Sequence, residues 1–425
     1  MKRSAWLLPA LMLAGASLGL LLGGALGARW SEPGLEPFVL LVRLVGAVFL
    51  SFLKALVVPL VVTSIVASVA KLEGLRGLGR LVVGTGLFFL ATSLAAVLTG
   101  MAVVNGIEPG SGVASNPTSA GAPPASPRAS RSPAHVVYEL VTGMFPPNLF
   151  AAASEGNVLG LIVFGLLFGA AIAFAPERSR ALVGLLDVVN DALLRLVRGV
   201  VWLAPLGILG LVADRVGNAG GGAAIWVELR GVAWYAVAVL AGLAIHAGIT
   251  LPLLLLLLTR HSPPRYLAGA ADALLTAFGT ASSAAAMGVT LRCARRSGVS
   301  EQAADFVIPL GTTVNMNGTA LYEAVAAIFI AQSLGIELTG AEQLLVVATA
   351  TLAAIGAAAI PEAGLVTLLL VLSAVGLPAE GIGLILSIDW ILDRFRTAVN
   401  VWGDLVGAAV VDRHTSGAAR GRLPS

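Results

Sequence analysis

Residues 389–404 read Asp389-Trp390-Ile391-Leu392-Asp393-Arg394-Phe395-Arg396-Thr397-Ala398-Val399-Asn400-Val401-Trp402-Gly403-Asp404. Counted from Asp389, the residues Asp393, Arg396, Thr397, Asn400 and Asp404 lie at offsets of 4, 7, 8, 11 and 15, which share one helical face. The chain around them is that of a membrane protein: 57% of 425 residues are hydrophobic, 12% are charged, and the mean hydropathy is +0.93. A polar stripe inside a membrane span faces the protein interior and marks a ligand or ion site.

Outward from this stripe, long apolar runs cover Trp6 to Ala28, Phe38 to Ala70, Leu81 to Ile107, Val158 to Ala175, Trp226 to Leu258 and Ala303 to Leu334. Their lengths are those of membrane crossings, for which about 20 residues suffice. Lys2 and Arg3 precede the first run, whose apolar part is longer than that of a cleaved leader, so it reads as a retained helix. Further helices are expected at about 140–174, 182–215 and 226–258. Basic residues cluster at Lys71/Arg76/Arg80, Arg178/Arg180, Arg260/Arg265, Arg292/Arg295/Arg296 and Arg413/Arg420/Arg422. Alternate crossings put all of these on one side, which places both termini in the cytoplasm of a cell membrane, expected to be a bacterial inner membrane. The Pro-, Ser- and Ala-rich stretch at about 108–135 reads as an extracytoplasmic loop.

Several function classes fall away at this stage. The basic residues are spread over short loops rather than gathered on a nucleic-acid-binding face. Cys293 is the sole cysteine and the four histidines are scattered, so neither a disulfide nor a metal centre is expected. No nucleophile with a nearby base and no cofactor motif points to an enzyme.

Two apolar segments are interrupted by small residues: Gly269 to Arg292 at Gly279-Thr280-Ala281-Ser282-Ser283, and Leu344 to Leu372 at Gly356 to Gly364 around Pro361. Irregular backbone cannot face lipid, because unpaired amides cost several kcal/mol each. Each broken segment is followed by a helix with polar interruptions, the duplicated order of an inverted-repeat transporter with a midplane site. Kinked helices packed through small residues are the plainer alternative for either break alone.

Arg396 can clamp a carboxylate with two parallel hydrogen bonds, and Asp393 can take an ammonium group. With Thr397 and Asn400 they suit a zwitterion bearing an extra acid. An internal ion pair between Asp393 and Arg396 is the competing reading, which leaves Asp389, Asn400 and Asp404 unexplained. The stretch from Asn315 to Thr319, Asn-Met-Asn-Gly-Thr, is expected to unwind a helix and offer carbonyls to a dehydrated sodium ion. Glu323 is either a proton carrier or a neutral polar contact. Ser282 and Ser283 can meet a carboxylate or serve small-residue packing. His246 reads as a satisfied packing residue, and Arg394 either reaches the same cavity or snorkels to an interface.

The sequence resembles the family of sodium-coupled dicarboxylate and amino-acid symporters that includes the archaeal aspartate transporters and the animal excitatory amino acid transporters. The resemblance rests on Asn315 to Glu323, on Ala354 to Pro361 with Ala363-Gly364, and on Asp389 to Asp404. It implies an all-α integral membrane fold of eight transmembrane helices and two re-entrant hairpins with inverted repeats. It also implies a homotrimer in the lipid bilayer and an elevator mechanism. Region 1–260 would hold the trimerisation scaffold plus the third and sixth helices of the transport domain. Region 261–413 would be the transport core, and 414–425 a cytoplasmic tail.

Carried over position by position, the resemblance assigns the substrate to Ser283, Thr319, Ile360, Gly364, Asp393, Arg396, Thr397 and Asn400. It assigns one sodium to Gly311, Asn315, Asn400 and Asp404, and a second to carbonyls of Thr313, Ala354, Ile355 and Ala357. Glu323 stands where the animal branch carries a proton, and Arg394 also leans that way, with potassium counter-transport as a further implication. A third sodium site would fall on Thr92, Ser93 and Asn317, but Asn317 and Phe89 replace a carboxylate and a phenol, so it is expected to be weak or absent. The expected function is import of L-glutamate or L-aspartate coupled to sodium, with no resident cofactor. The rivals are a proton-coupled carrier of the same substrates or of C4-dicarboxylates, and an anion-conducting channel. Asp393 weighs against a plain dicarboxylate, which would leave that acid without an ammonium partner.

Overall fold

The computed structural model describes residues 7–70, 79–113, 138, 141–155, 157–174, 176–222, 224–355 and 363–420. Among these there is no strand. The main helices are α1 (Leu7–Leu26), α2 (Glu36–Ala70), α3 (Gly79–Ile107), α4 (Leu149–Glu155), α5 (Val158–Ala173), α6 (Pro176–Val201), α7 (Ala204–Asn218) and α8 (Ala224–Ile245). They continue as α9 (Leu251–Thr259), α10 (Pro263–Thr280), α11 (Ser283–Arg296), α12 (Glu301–Val314), α13 (Asn317–Ser333), α14 (Gly340–Ile355), α15 (Ala363–Ala374) and α16 (Ile382–Arg420). Five described helical stretches are long and apolar enough to cross a membrane, and the bent pair α6–α7 makes a sixth. The fold is the all-helical membrane architecture expected from the sequence.

Helices α1, α2, α5, α6 and α7 pack on one another; α3, α8, α14, α15 and α16 surround α13, and α10, α11 and α12 pack on α16. Small residues permit the closest approach. Gly15, Gly19 and Gly23 of α1 lie against the carbonyls of Pro205, Leu209 and Ala213 on α7, where any side chain would collide with backbone. Helix α13 is buried on all sides, from Asn317 through Ala331. It runs alongside α3, α14 and α16 and thereby carries polar groups into the middle of the bundle.

Three expected helices depart from a regular α-helix, each for a local reason. The span expected at 182–215 bends by 53° between Val201 and Ala204. Pro205 has no amide hydrogen and its ring clashes with the carbonyl four residues back, so α6 stops at Val201. The span at 226–258 stays continuous but widens into a π-helical turn at His246–Thr250, just before Pro252. The span at 140–174 restarts at Asn157, whose side chain accepts from Gly160 N at 3.1 Å.

Both broken segments form helical hairpins. In the first, α10 ends at Ala281, in the left-handed region at φ 48°, and Ser282 caps α11 by accepting from Ala285 N at 3.2 Å. In the second, Thr339 and Glu342 form a reciprocal cap at the start of α14, which packs on α15. The tip residues Gly356 to Glu362, including the substrate assignment Ile360 and the sodium assignment Ala357, lie outside the described residues. The unwinding expected over Asn315 to Thr319 is confined to Asn315 and Met316, because Asn317 already opens α13.

Candidate functional site

The polar face of α16 meets the α12–α13 break deep in the bundle. Asn315, Asn317, Glu323, Asp389, Arg396 and Asp404 are each fully buried. At the break, Asn315 Nδ2 donates to Asp404 Oδ1 at 2.9 Å. Asn400 joins α16 to α13 twice: its Oδ1 accepts from Gly318 N at 2.8 Å and its Nδ2 donates to Thr319 Oγ1 at 3.2 Å. Three glycines make this approach possible. A Cβ at Gly311 would overlap the Asp404 carboxylate, one at Gly318 would meet the Arg396 carbonyl, and one at Gly403 would strike the amides of Asn315 and Asn317.

Arg396 lies at the centre of a charged trio. Its Nη1 is 3.0 Å from Asp389 Oδ1, and its Nη2 donates to Asp389 Oδ2 at 3.2 Å and to Asp393 Oδ1 at 3.0 Å. The guanidinium carbon stands 3.7 Å above the Tyr322 ring. The ion pair between Asp393 and Arg396, held as the competing reading, is therefore present, and Asp389 extends it. Gly364 packs against the same guanidinium, where a Cβ would come within 3.0 Å of Nη1. A buried cation held by two carboxylates stays charged and oriented, which a receptor for an acid group requires.

Ser283 is buried at the head of α11, which packs on α16, and Thr319 and Thr397 are buried in the same region. Ser283, Thr319, Gly364, Asp393, Arg396, Thr397 and Asn400 thus all belong to the elements converging here. Gly311, Thr313 and Asn315 stand at the C-terminal end of α12, and Ala354 and Ile355 at that of α14, which packs against α12. Helix C-termini carry exposed carbonyls and partial negative charge, so this corner favours a cation. The Gly311 carbonyl already accepts from Asn315 N at 2.9 Å.

Two expectations change. His246 is fully buried at the start of the π-helical turn, but neither ring nitrogen has a hydrogen-bond partner among the described residues, so it is not the satisfied packing residue expected. Arg394 neither snorkels nor joins the Arg396 trio. Its Nη1 donates to the carbonyls of Phe278 at 3.2 Å and Gly279 at 2.9 Å, capping α10 at the first hairpin's tip.

Two residues gain a place that the sequence reading did not give them. Tyr322 supplies the aromatic face beneath Arg396, and its only sequence signal is its position beside Glu323. Thr367 on α15 donates to Gly364 O at 3.3 Å and lies beside the Glu323 carboxyl, whose oxygens make no aligned hydrogen bond of their own. Of the residues expected at a doubtful third sodium site, Thr92 Oγ1 donates to Phe88 O at 2.9 Å and Asn317 Oδ1 accepts from Gly318 N, while the Phe89 ring packs against Gly311 and Gly407.

The model of the sodium:dicarboxylate symporter family matches residues 8–414. The chain belongs to that family. Among its relatives, excitatory amino acid transporter 3 of Mus musculus is 36% identical, with 97% of this chain and 86% of the relative aligned. Excitatory amino acid transporter 2 of Homo sapiens is 36% identical over 95% of this chain and 78% of the relative. Excitatory amino acid transporter 1 of Ambystoma tigrinum is 35% identical over 86% and 76%. As a member of the sodium:dicarboxylate symporter family, the chain is a multi-pass membrane transporter and not an enzyme.

Proposed function

We propose that this symporter carries L-glutamate or L-aspartate together with sodium. The observation that carries the reading is the Asp389–Arg396–Asp393 trio against the oxygen-rich corner at Asp404. A substrate side-chain carboxylate would take the fork of Arg396, displacing Asp393, whose freed carboxylate would then receive the substrate ammonium. Both halves of an acidic amino acid are thereby used, and neither charge is left unpaired.

The same charges supply a reason for coupling. Asp389, Asp393, Asp404 and Arg396 give a formal sum of −3 + 1 = −2, so an anionic substrate alone would be repelled. Sodium held by Asp404, Asn315, Asn400 and the α12 end would offset that field. A second ion at the ends of α12 and α14 would bind with closure of the second hairpin. Glu323, buried beside Thr367 and close to Arg396, would carry a proton in the same cycle, and potassium would return on the empty carrier. The working unit is a homotrimer in a bacterial inner membrane, with both termini cytoplasmic and region 261–413 moving as the transport core.

The test is uptake of radiolabelled L-aspartate and L-glutamate into proteoliposomes under a sodium gradient alone and under a proton gradient alone. Accumulation against a gradient driven by sodium is expected. Accumulation driven only by protons would discard the sodium assignment, and strong inhibition by succinate with weak inhibition by aspartate would discard the substrate.

A further inference from the structure

A second polar feature lies far from the cargo site. Where the end of α3 turns past the start of α8, a cavity of about 490 Å³ opens on the protein surface, lined among others by Glu108, Ser111, Val227, Arg230 and Trp234. The turn is held close to α8 by Gly231, where a Cβ would run into Val113, and is tied to the end of α13 by Gly110 N donating to Gln332 Oε1 at 3.1 Å. The walls of the cavity are therefore fixed by packing on α8 and α13.

Arg230 is the unusual member. It is exposed, it lies within the apolar stretch Ile225–Thr259, and among the described residues nothing pairs with it. The other arginines near it in the bundle are engaged: Arg215 with Glu228 at 3.0 Å and Arg43 with Asp214 at 2.6 Å. An unpaired cation in a membrane span is costly unless something at the membrane surface meets it. Trp226 and Trp234 stand one turn before and one turn after Arg230, 74% and 46% exposed. Tryptophans at such positions mark the headgroup level of a bilayer. The cavity also lies at the opposite end of the α8–α9 span from Arg260 and Arg265, the end that the basic loops leave outside.

Across the cavity Glu108 offers the opposite charge. Among the described residues its carboxylate accepts only from Ser111 Oγ, at 3.3 Å, and it is exposed. One cation and one acid facing a common cavity at headgroup depth match a group that carries a phosphate and an ammonium together. We propose that this groove binds the headgroup of a zwitterionic ethanolamine phospholipid of the outer leaflet, its phosphate on Arg230 and its ammonium on Glu108, with Trp234 against the glycerol and upper acyl region. Phosphatidylglycerol would satisfy Arg230 with its phosphate but offer Glu108 a neutral glycerol in place of an ammonium, so the site selects for the zwitterion. Because α3 and α8 pack on α13 and α16, a lipid held here rides on the helices that form the cargo site.

The test is native mass spectrometry of the purified full-length protein titrated with phosphatidylethanolamine and, separately, phosphatidylglycerol. The wild type is expected to show one tight phosphatidylethanolamine adduct and weaker phosphatidylglycerol binding. Arg230→Gln should weaken the tight adduct about ten-fold, the scale of one charge-assisted contact. Glu108→Gln should erase the preference between the two lipids while retaining phosphate-dependent binding. Arg260→Gln, at the other end of the span, should change neither. Undiminished phosphatidylethanolamine affinity in Arg230→Gln would overturn the proposal. So would equal binding of the two lipids by the wild type, or absence of any tight adduct, as when residues 114–137 or another protein copy covers the groove.

Discussion

Asn315 and Asp404 hold each other across the α12–α13 break, the amide donating to Asp404 Oδ1 at 2.9 Å, while Asn315 Oδ1 and Asp404 Oδ2 make no hydrogen bond with the protein. Two oxygen acceptors without donors, fully buried and beside a helix C-terminus, make a place for a hard cation. Asp404→Asn removes the charge and keeps the shape. It is expected to lower the apparent sodium affinity for aspartate uptake by about ten-fold or more, the scale of a lost charged contact. A sodium titration of uptake reads this directly, and an unchanged midpoint would take Asp404 out of the ion site. Gly311→Ala should give the same loss by a steric route, because its Cβ would overlap the Asp404 carboxylate.

The Arg396 trio leads to a change of specificity rather than a simple loss. Arg396→Cys removes the fork that receives the acid group but leaves Asp393 able to bind an ammonium. Uptake of aspartate should fall at least about a hundred-fold, the cost of stranding a buried carboxylate. Competition by small neutral amino acids such as serine should appear. An unchanged competition profile would show that the guanidinium only stabilises Asp389 and Asp393.

Glu323 is fully buried beside Thr367, which in turn donates to Gly364 O in the second hairpin. Glu323→Gln keeps a neutral polar group there and abolishes proton binding. Net uptake should become insensitive to an imposed pH gradient, while exchange of internal for external substrate persists within about two-fold, since no other contact changes. Equal loss of net uptake and exchange would point to packing instead.

The apolar runs, the two hairpins and the face shared by Asp389 and Asp404 were legible in the sequence because period and composition fix them. The local bends were not. Pro205 stands in the first turn of α7, just past the end of α6, whereas Pro59 lies inside α2, so the residue type alone does not tell a break from a continuous helix. The burial of the polar face of α16 was legible, but not which partners its side chains take. Arg396 lies on the polar face and Arg394 off it, but the sequence did not show that Arg394 turns to the carbonyls of the first hairpin while Arg396 is held by both Asp389 and Asp393. The burial of α13 on every face also escaped a reading based on amphipathic period, which a helix surrounded by protein does not show.

Arg394 provides a test of how the first hairpin is held. Its two bonds to Phe278 O and Gly279 O satisfy carbonyls at the end of α10, just before Ala281 takes its left-handed conformation. Arg394→Ala leaves those carbonyls to water and removes the tie between the hairpin tip and α16, at a cost of about 1–2 kcal/mol to local opening. Hydrogen exchange at residues 279–286 should accelerate by about ten-fold, whereas exchange in α13 should not change. In Arg394→Lys the shorter ammonium can reach one carbonyl but cannot fork between two, so intermediate protection is expected. If alanine protects the tip as well as arginine does, the cap is incidental and the packing of α10 and α11 on α16 holds the hairpin.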